Sequence, residues 1–387
     1  MRRSLYEEEH QAYRSLVRTF VEREVVPKLD KWDEARLIDR EVWLAAGRQG
    51  LLGISVPEAF GGAGLEDFRY PMVVAEELAD VGATALLSSF GLQSDIVIPY
   101  FVSLGSEQQK AQWLPKLVAG EAIGAIAMTE PGAGSDLQGI RATAVRDGEH
   151  WVIEGQKTFI SSGIQADVVI VVARTNPDSA AGAKAFSLFL VERNMPGFVR
   201  GRKLDKVGLH AQDTSELFFE GVRVPGTNLL GEEGKGFYHL MQNLPLERMS
   251  IAASAMASAD VTFAQTRRYC FERKAFGKAI GELQVNKFAL AEMETELDVT
   301  RSYLDAAVLE LNAGHLSAVD AAKAKWWATE LQKRVIDRCV QLHGGYGYML
   351  EYPVARAYID ARIQTIYGGT SEVMKEIIGR DIARRAG

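Results

Sequence analysis

At 387 residues and a formal charge of −7, the chain is long enough for two or three domains and has no basic excess to neutralise phosphates. Nucleic-acid binding is therefore disfavoured, and any anionic cofactor has to be held by a few placed Arg, Lys or backbone N–H groups. The two cysteines, Cys270 and Cys339, sit in apolar helical-type sequence and read as small core residues of a reducing compartment, and no C-x-x-C or H-x-x-x-H spacing supports a metal site.

Behind Met1-Arg2-Arg3-Ser4 come Glu7-Glu8-Glu9 rather than an apolar stretch. Neither a secretory signal nor an acid-poor transit peptide is expected, so the expected location is the cytoplasm. Tyr13, Leu16, Val17, Phe20 and Val21 recur at three- and four-residue spacing and predict an amphipathic helix. Further helices are predicted over 72–79 and 107–117, with Gly61-Gly62-Ala63-Gly64 as a loop between them.

From about residue 122 the pattern changes. Trp151-Val152-Ile153, residues 168–173, residues 186–191 and Leu217-Phe218-Phe219 are short β-type runs. Turn sequences separate them: Arg146-Asp147-Gly148, Thr175-Asn176-Pro177, Met195-Pro196-Gly197 and Pro225-Gly226. Such spacing predicts an antiparallel sandwich or barrel. The longest apolar run, 168–173, suits a strand and is too short to cross a bilayer.

From about 235 the helical period returns. Leu290, Met293, Leu297, Leu304, Val308 and Leu311 form one apolar face of a long helix, and a second is predicted over 318–342. The fold class is therefore α+β, in three domains. These are an N-terminal α-helical domain (1–121), a middle antiparallel β-barrel or sandwich (122–233) and a C-terminal four-helix bundle (234–387). No G-x-G-x-x-G follows a strand and opens a helix, which disfavours a Rossmann fold. Gly234-Lys235 is not a P-loop, because Leu229 stands where its first glycine belongs and Gly236 where Ser or Thr belongs.

The most telling segment is the ten residues from Ala127 to Asp136, in which a strand end runs into the small-residue loop Thr129-Glu130-Pro131-Gly132-Ala133-Gly134-Ser135. Glycines allow close approach of backbone to a ligand, and the hydroxyls of Thr129 and Ser135 supply polar groups. By itself such a loop is more often only a turn. Downstream lie Gly155-Gln156-Lys157-Thr158-Phe159-Ile160-Ser161-Ser162-Gly163, then Glu272-Arg273-Lys274-Ala275-Phe276-Gly277-Lys278 with Gln284. Gln341-Leu342-His343-Gly344-Gly345-Tyr346 and Ile366-Tyr367-Gly368-Gly369-Thr370-Ser371-Glu372 complete the series.

In this order, over essentially the whole chain, these motifs resemble the acyl-CoA dehydrogenase family, and most closely its long-chain branch. The resemblance implies an FAD cofactor. Ile126, Met128, Thr129, Gly134, Ser135, Phe159, Ile160 and Ser161 would meet the flavin, Phe159 standing where many members carry Trp. Arg273 would pair with the FAD diphosphate through its guanidinium fork, with Phe276 and Gln284 near the adenosine half. Gln341, Gly344 and Gly345 would meet the FAD of a neighbouring subunit, and Thr370 and Glu372 also match cofactor-contacting positions. Ser135, Tyr238, Arg248, Tyr367, Gly368 and Gly369 match substrate-contacting positions.

One departure bears on mechanism. Many members place the catalytic carboxylate directly after the tyrosine, where this chain has Gly368. Leu244-Pro245-Leu246-Glu247-Arg248-Met249 instead resembles the long-chain and isovaleryl branches, whose base lies on another helix, and Glu247 occupies that position. From local sequence alone Glu247 reads rather as a first-turn helix acid after Pro245, stabilised by about 0.3–1 kcal/mol through the helix dipole. Gly368 would lend its N–H to the substrate carbonyl.

The resemblance thus implies FAD-dependent α,β-dehydrogenation of an acyl-CoA, of long-chain type in fatty-acid β-oxidation. An electron-transferring flavoprotein would be the electron acceptor and a homotetramer of paired dimers the assembly. Branched isovaleryl-type substrates, a carrier-protein thioester, and a non-catalytic flavin-binding protein of the same fold remain alternatives.

Overall fold

The computed structural model describes residues 3–176 and 178–387, so the proline of the turn expected at Thr175-Asn176-Pro177 lies outside the described residues. The first helix, Glu8–Phe20, buries Val17 and Phe20, while Leu16 of the expected apolar stripe stays 38% exposed. It packs on the Arg69–Asp80 helix and is tied to it by charge. Arg14 donates to Glu76 and Glu77 at 2.6 and 2.8 Å, and Arg18 to Glu77 at 2.9 Å.

The next helix, Thr84–Gly91, runs through a π-helical turn, Leu92–Val97, into Ile98–Leu104. By length and composition this stretch could cross a membrane, but most of its apolar window is buried inside the fold. The Glu107–Val118 helix follows, closed by a reciprocal capping box in which the Ser106 hydroxyl accepts from the Gln109 N–H and the Gln109 side chain accepts from the Ser106 N–H.

Eight strands form the middle sheet: β1 (Gly124–Ala127), β2 (Thr143–Asp147), β3 (His150–Ser161), β4 (Val168–Arg174), β5 (Phe186–Glu192), β6 (Phe198–Lys203), β7 (Thr214–Pro225) and β8 (Leu229–Leu230). Their order is β6-β7-β3-β2-β4-β5-β8, with β1 also paired to β4. The expectation of a wholly antiparallel sheet needs correcting. β1 pairs with β4 in parallel, Gly124 opposite Val168 and Ala127 opposite Val171, and β2 meets β4 at one parallel position. Six of the seven residues of β4 are buried, as in its antiparallel neighbour β5, so β4 is covered on both faces and accepts partners of either direction. A strand covered on both faces suits parallel pairing, whereas alternation marks strands with one wet face. Val169 and Val171 face one core, and Val168 and Ile170 face another shared with the N-terminal helices.

The C-terminal part contains the long helices Gly236–Glu272, Gln284–Asn312, Ala318–His343 and Ser371–Ala386, with the shorter Pro353–Ala361 between the last two. The Gly236–Glu272 helix is the spine of the molecule. It contributes Ala257 to the N-terminal core, Met249 and Met256 to the bundle core, and Leu240 to the core beneath the sheet. This helix begins well before Pro245, which lies inside it, so Glu247 is not in a first turn. The helix-dipole explanation of Glu247 falls with that placement, since the effect fades after one turn.

Candidate active site

Two of the sequence motifs meet at the ends of β1 and β3. The Thr158 N–H donates to the Thr129 carbonyl at 2.9 Å, which joins the loop after β1 to the second motif. A buried ion pair holds the joint. Lys157 Nζ donates to Glu130 Oε1 at 2.9 Å and to the Met128 carbonyl at 3.0 Å, and the Glu130 carboxylate also accepts from the N–H groups of Arg141 and Ala142. Burial, opposed by the Glu130 charge, lowers the Lys157 ammonium to about 8. Both residues lie within the motifs, yet sequence reading gave them no role. A Lys and a Glu in separate loops carry no local sign that they will pair.

Against this joint, Phe159 sits at φ +59° and the residue is 68% exposed. A left-handed backbone is unfavourable for a bulky residue, and an exposed ring returns no core burial, a combination found where a ligand completes the site. Ser161 is half-buried beside it, and Ile160 points into the core, so only its backbone can face a ligand. On the other strand end, Met128 and Thr129 are half-buried and Ser135 is exposed. Gly134 has no atom within 4 Å of where a Cβ would stand, so the loop is open. Ile126 packs largely against the core under the sheet.

A second cluster lies on the bundle. The Arg273 guanidinium sits 5.7 Å over the Tyr346 ring, and Tyr269 stacks on His343 at 4.2 Å. The Arg273 motif thus meets the turn of Gly344 and Gly345, where Gly344 ends its helix at φ +62°. Arg273, Phe276, Gln284, Gln341 and both glycines face solvent, with Phe276 92% exposed. Thr370 caps the last helix by accepting from the Val373 N–H at 3.3 Å, and Glu372 is exposed in its first turn. An exposed flat ring, an open glycine loop and a free guanidinium fit a planar aromatic group carrying a diphosphate.

The third cluster surrounds Glu247, which is only 3% exposed. Tyr100 Oη donates to its Oε1 at 3.0 Å. Burial pushes the carboxyl up to about 7, while the Tyr100 hydrogen bond and the Arg248 charge pull the other way. Arg248 is buried as well, its Nε without a partner, and burial lowers its guanidinium from the ordinary value. Lys325 Nζ, fully buried, donates to the Gly369 carbonyl at 2.7 Å and so anchors the loop of Gly368 and Gly369 beside this helix.

Gly368 has φ +61°, and a Cβ there would stand 2.2 Å from Ile251 Cδ1. Its N–H has no hydrogen-bond acceptor among the described residues. Tyr367 donates to Gln364 Oε1 at 2.9 Å. Tyr238 is half-exposed at the start of the Gly236–Glu272 helix, with Lys235 Nζ 5.5 Å over its ring.

A cavity of about 390 Å³ runs between the N-terminal helices and the Gly236–Glu272 helix. Asn243, Leu246, Ser250 and Ser254 line it from that helix, and Gly91 and Asp95 from the other side. At 1.5 Å per residue, the eleven steps from Asn243 to Ser254 give it a length of about 16 Å. Glu247 lies between two of these lining residues but is turned toward Tyr100.

Family models described as the acyl-CoA dehydrogenase N-terminal, middle and C-terminal domains match residues 7–121, 125–222 and 234–383. The chain is 51% identical over 380 residues to the mitochondrial long-chain specific acyl-CoA dehydrogenase of Sus scrofa, covering 98% of this chain and 88% of that protein. It is 37% identical over 375 residues to the mitochondrial isovaleryl-CoA dehydrogenase of Pongo abelii, covering 96% and 88%. The crystal structure of an acyl-CoA dehydrogenase from Geobacillus kaustophilus superposes with a TM-score of 0.95 at 49% identity, covering 97% of this chain and 98% of that one.

Proposed function

The chain belongs to the acyl-CoA dehydrogenase family and is a flavin-dependent oxidoreductase, and on that premise we propose that it oxidises long-chain fatty acyl-CoA to the trans-2-enoyl-CoA with Glu247 as base. The observation that carries the proposal is that Gly368, free of a side chain, sits against Ile251, about one helical turn beyond the buried Glu247, whose carboxyl is raised by burial to about 7. The roughly 16 Å length of the neighbouring cavity favours a long acyl chain over a short one.

In this reading Phe159, Thr129 and Ser161 would hold the flavin ring and Arg273 its diphosphate, and bound FAD would supply the acceptor for the β-hydride. Glu247 turns from Tyr100 toward the cavity and takes the α-proton on a carboxylate oxygen. Its pKa near neutrality suits that task, because a base works best when its pKa lies close to the working pH. The free Gly368 N–H donates to the thioester oxygen as enolate charge develops there, and a glycine serves fully since only its backbone acts. Tyr367, half-buried next to Gly368, shields the reacting atoms from water, which strengthens both contacts. Tyr238 and Ser135 hold the thioester arm near the entrance.

The acceptor of the electrons is proposed to be an electron-transferring flavoprotein, and the assembly a homotetramer of dimers that share flavin sites. Support for sharing is the solvent exposure of Arg273, Gly344 and Gly345 together with the apolar Phe276, Val285 and Tyr348.

The test is anaerobic mixing of the FAD-loaded protein with acyl-CoAs of increasing chain length, following bleaching of the flavin. Rapid bleaching by long chains and none by Glu247→Gln, at equal FAD content, is the expected result. Bleaching retained in Glu247→Gln overturns the base assignment, and FAD retained in full by Arg273→Ala overturns the diphosphate contact.

A further inference from the structure

The cavity beside Glu247 has an unexpected wall for a fatty chain. Asp95, in the π-helical turn Leu92–Val97, lines it, and Ser250 Oγ donates to Asp95 Oδ2 at 2.5 Å. No other side chain hydrogen-bonds to Asp95 among the described residues, so its second oxygen is unclaimed by the protein. Burial raises the Tyr13 phenol, with smaller contributions from Tyr70 and from the Asp95 charge, and Tyr13 and Asp95 line the same cavity. Gly91 stands over the pair. A Cβ there would lie 3.3 Å from Ser250 Oγ and 3.6 Å from Asp95 Oδ2, so the glycine leaves the pair open to the cavity.

The cavity also carries polar groups, among them Glu66, Asp67, Asn243 and Asn312, but a carboxyl held against its apolar wall of Leu87, Phe90 and Leu246 is still unfavourable unless something hydrogen-bonds to it. One Ser hydroxyl satisfies part of that demand. An occupant consisting only of methylenes would displace any water and leave the second oxygen bare, at a penalty that such a site would not need to carry. Ser250 lies three residues beyond Glu247, about 4.5 Å along the helix axis. An extended chain advances about 1.2 Å per bond, so the pair faces a point about four bonds past the α-carbon.

Resting on the reading of Glu247 as the base, we propose that Asp95 and Ser250 form a subsite for a hydroxyl group on the acyl chain. The substrate class is hydroxylated acyl thioesters, the hydroxyl donating to Asp95 while Ser250 donates to its other oxygen. The same carboxylate disfavours chains that end in a carboxylate.

The experiment compares kcat/KM for an unsubstituted acyl-CoA with that for the same chain carrying one hydroxyl, moved a carbon at a time beyond the β-carbon. The parent protein is expected to prefer one hydroxyl position by about tenfold to a hundredfold, the range for a hydrogen bond to a charged acceptor. Asp95→Leu should abolish that preference and favour the unsubstituted chain, while the isosteric Asp95→Asn, a control for folding, should keep only part of it. FAD content and thermal midpoint are read for each variant.

A parent protein without any positional preference, or an Asp95→Leu protein with the same preference as the parent, overturns the subsite. Failure of every thioester to bleach the flavin instead overturns the reading of Glu247. Bleaching by the plain chain with no hydroxyl effect sinks the subsite alone.

Discussion

Tyr100 and Glu247, 147 residues apart in sequence, meet through one 3.0 Å hydrogen bond that joins the N-terminal helices to the spine helix at the proposed base. The tyrosine donates to the charged carboxylate and so lowers its pKa against the opposing effect of burial. Replacing Tyr100 by Phe removes that support and raises the pKa above about 7. Because the base acts ionised, the rising limb of the kcat/KM profile should shift to higher pH, with a severalfold loss at pH 7 that alkaline buffer recovers. A limb that stays in place would show that Tyr100 does not touch the working carboxyl.

Phe159 is held in a left-handed backbone that costs a non-glycine residue about 1–2 kcal/mol. Phe159→Gly is therefore expected to leave the FAD-free protein as stable as the parent or slightly more so, while weakening FAD binding. Thermal melts with and without added FAD separate the two effects. Equal FAD affinity in parent and variant would remove Phe159 from the flavin site.

Gly368 is defined by what a side chain would strike. In Gly368→Ala the new Cβ meets Ile251 Cδ1 at 2.2 Å and takes on a left-handed backbone, so a stability loss of about 1–3 kcal/mol is expected. Ile251→Ala clears the space, and the double variant should recover part of the loss in a double-mutant cycle. Strictly additive losses would mean that the contact does not exist in solution.

Lys157 and Glu130 clamp the two motif loops from below. Lys157→Met leaves a buried carboxylate without its cation, and about 3–5 kcal/mol of stability should go with it. The double variant Lys157→Met, Glu130→Gln should be less damaged than the sum of the single variants. FAD occupancy is expected to fall in parallel, since Thr129 and Phe159 ride on the clamped segments. A stable Lys157→Met protein with full FAD would contradict the clamp.

Much of this molecule is local. The helices 107–118 and 318–343 follow from apolar periodicity and from caps three residues apart, Ser106 with Gln109 and Ser317 with Asp320. The strands of the sheet follow from short apolar runs between turn residues, and the motif order carried the family. What local pattern misjudged was direction and depth. The buried run of β4 did not announce that β1 would lie parallel to it, and Pro245 suggested a helix start where a long helix instead passes through.

The sequence by itself thus determined the helix–sheet–helix order, because spacing, caps and turn residues act within a few residues, while the resemblance of its motifs to the family implied Glu247 as the candidate base. Only the tertiary structure decided that Tyr100 holds Glu247, that Ile251 fills the space above Gly368, and that Asp95 meets Ser250 across 155 residues. Those partners are chosen by the packing of whole helices, which fixes side-chain distances that no local pattern encodes.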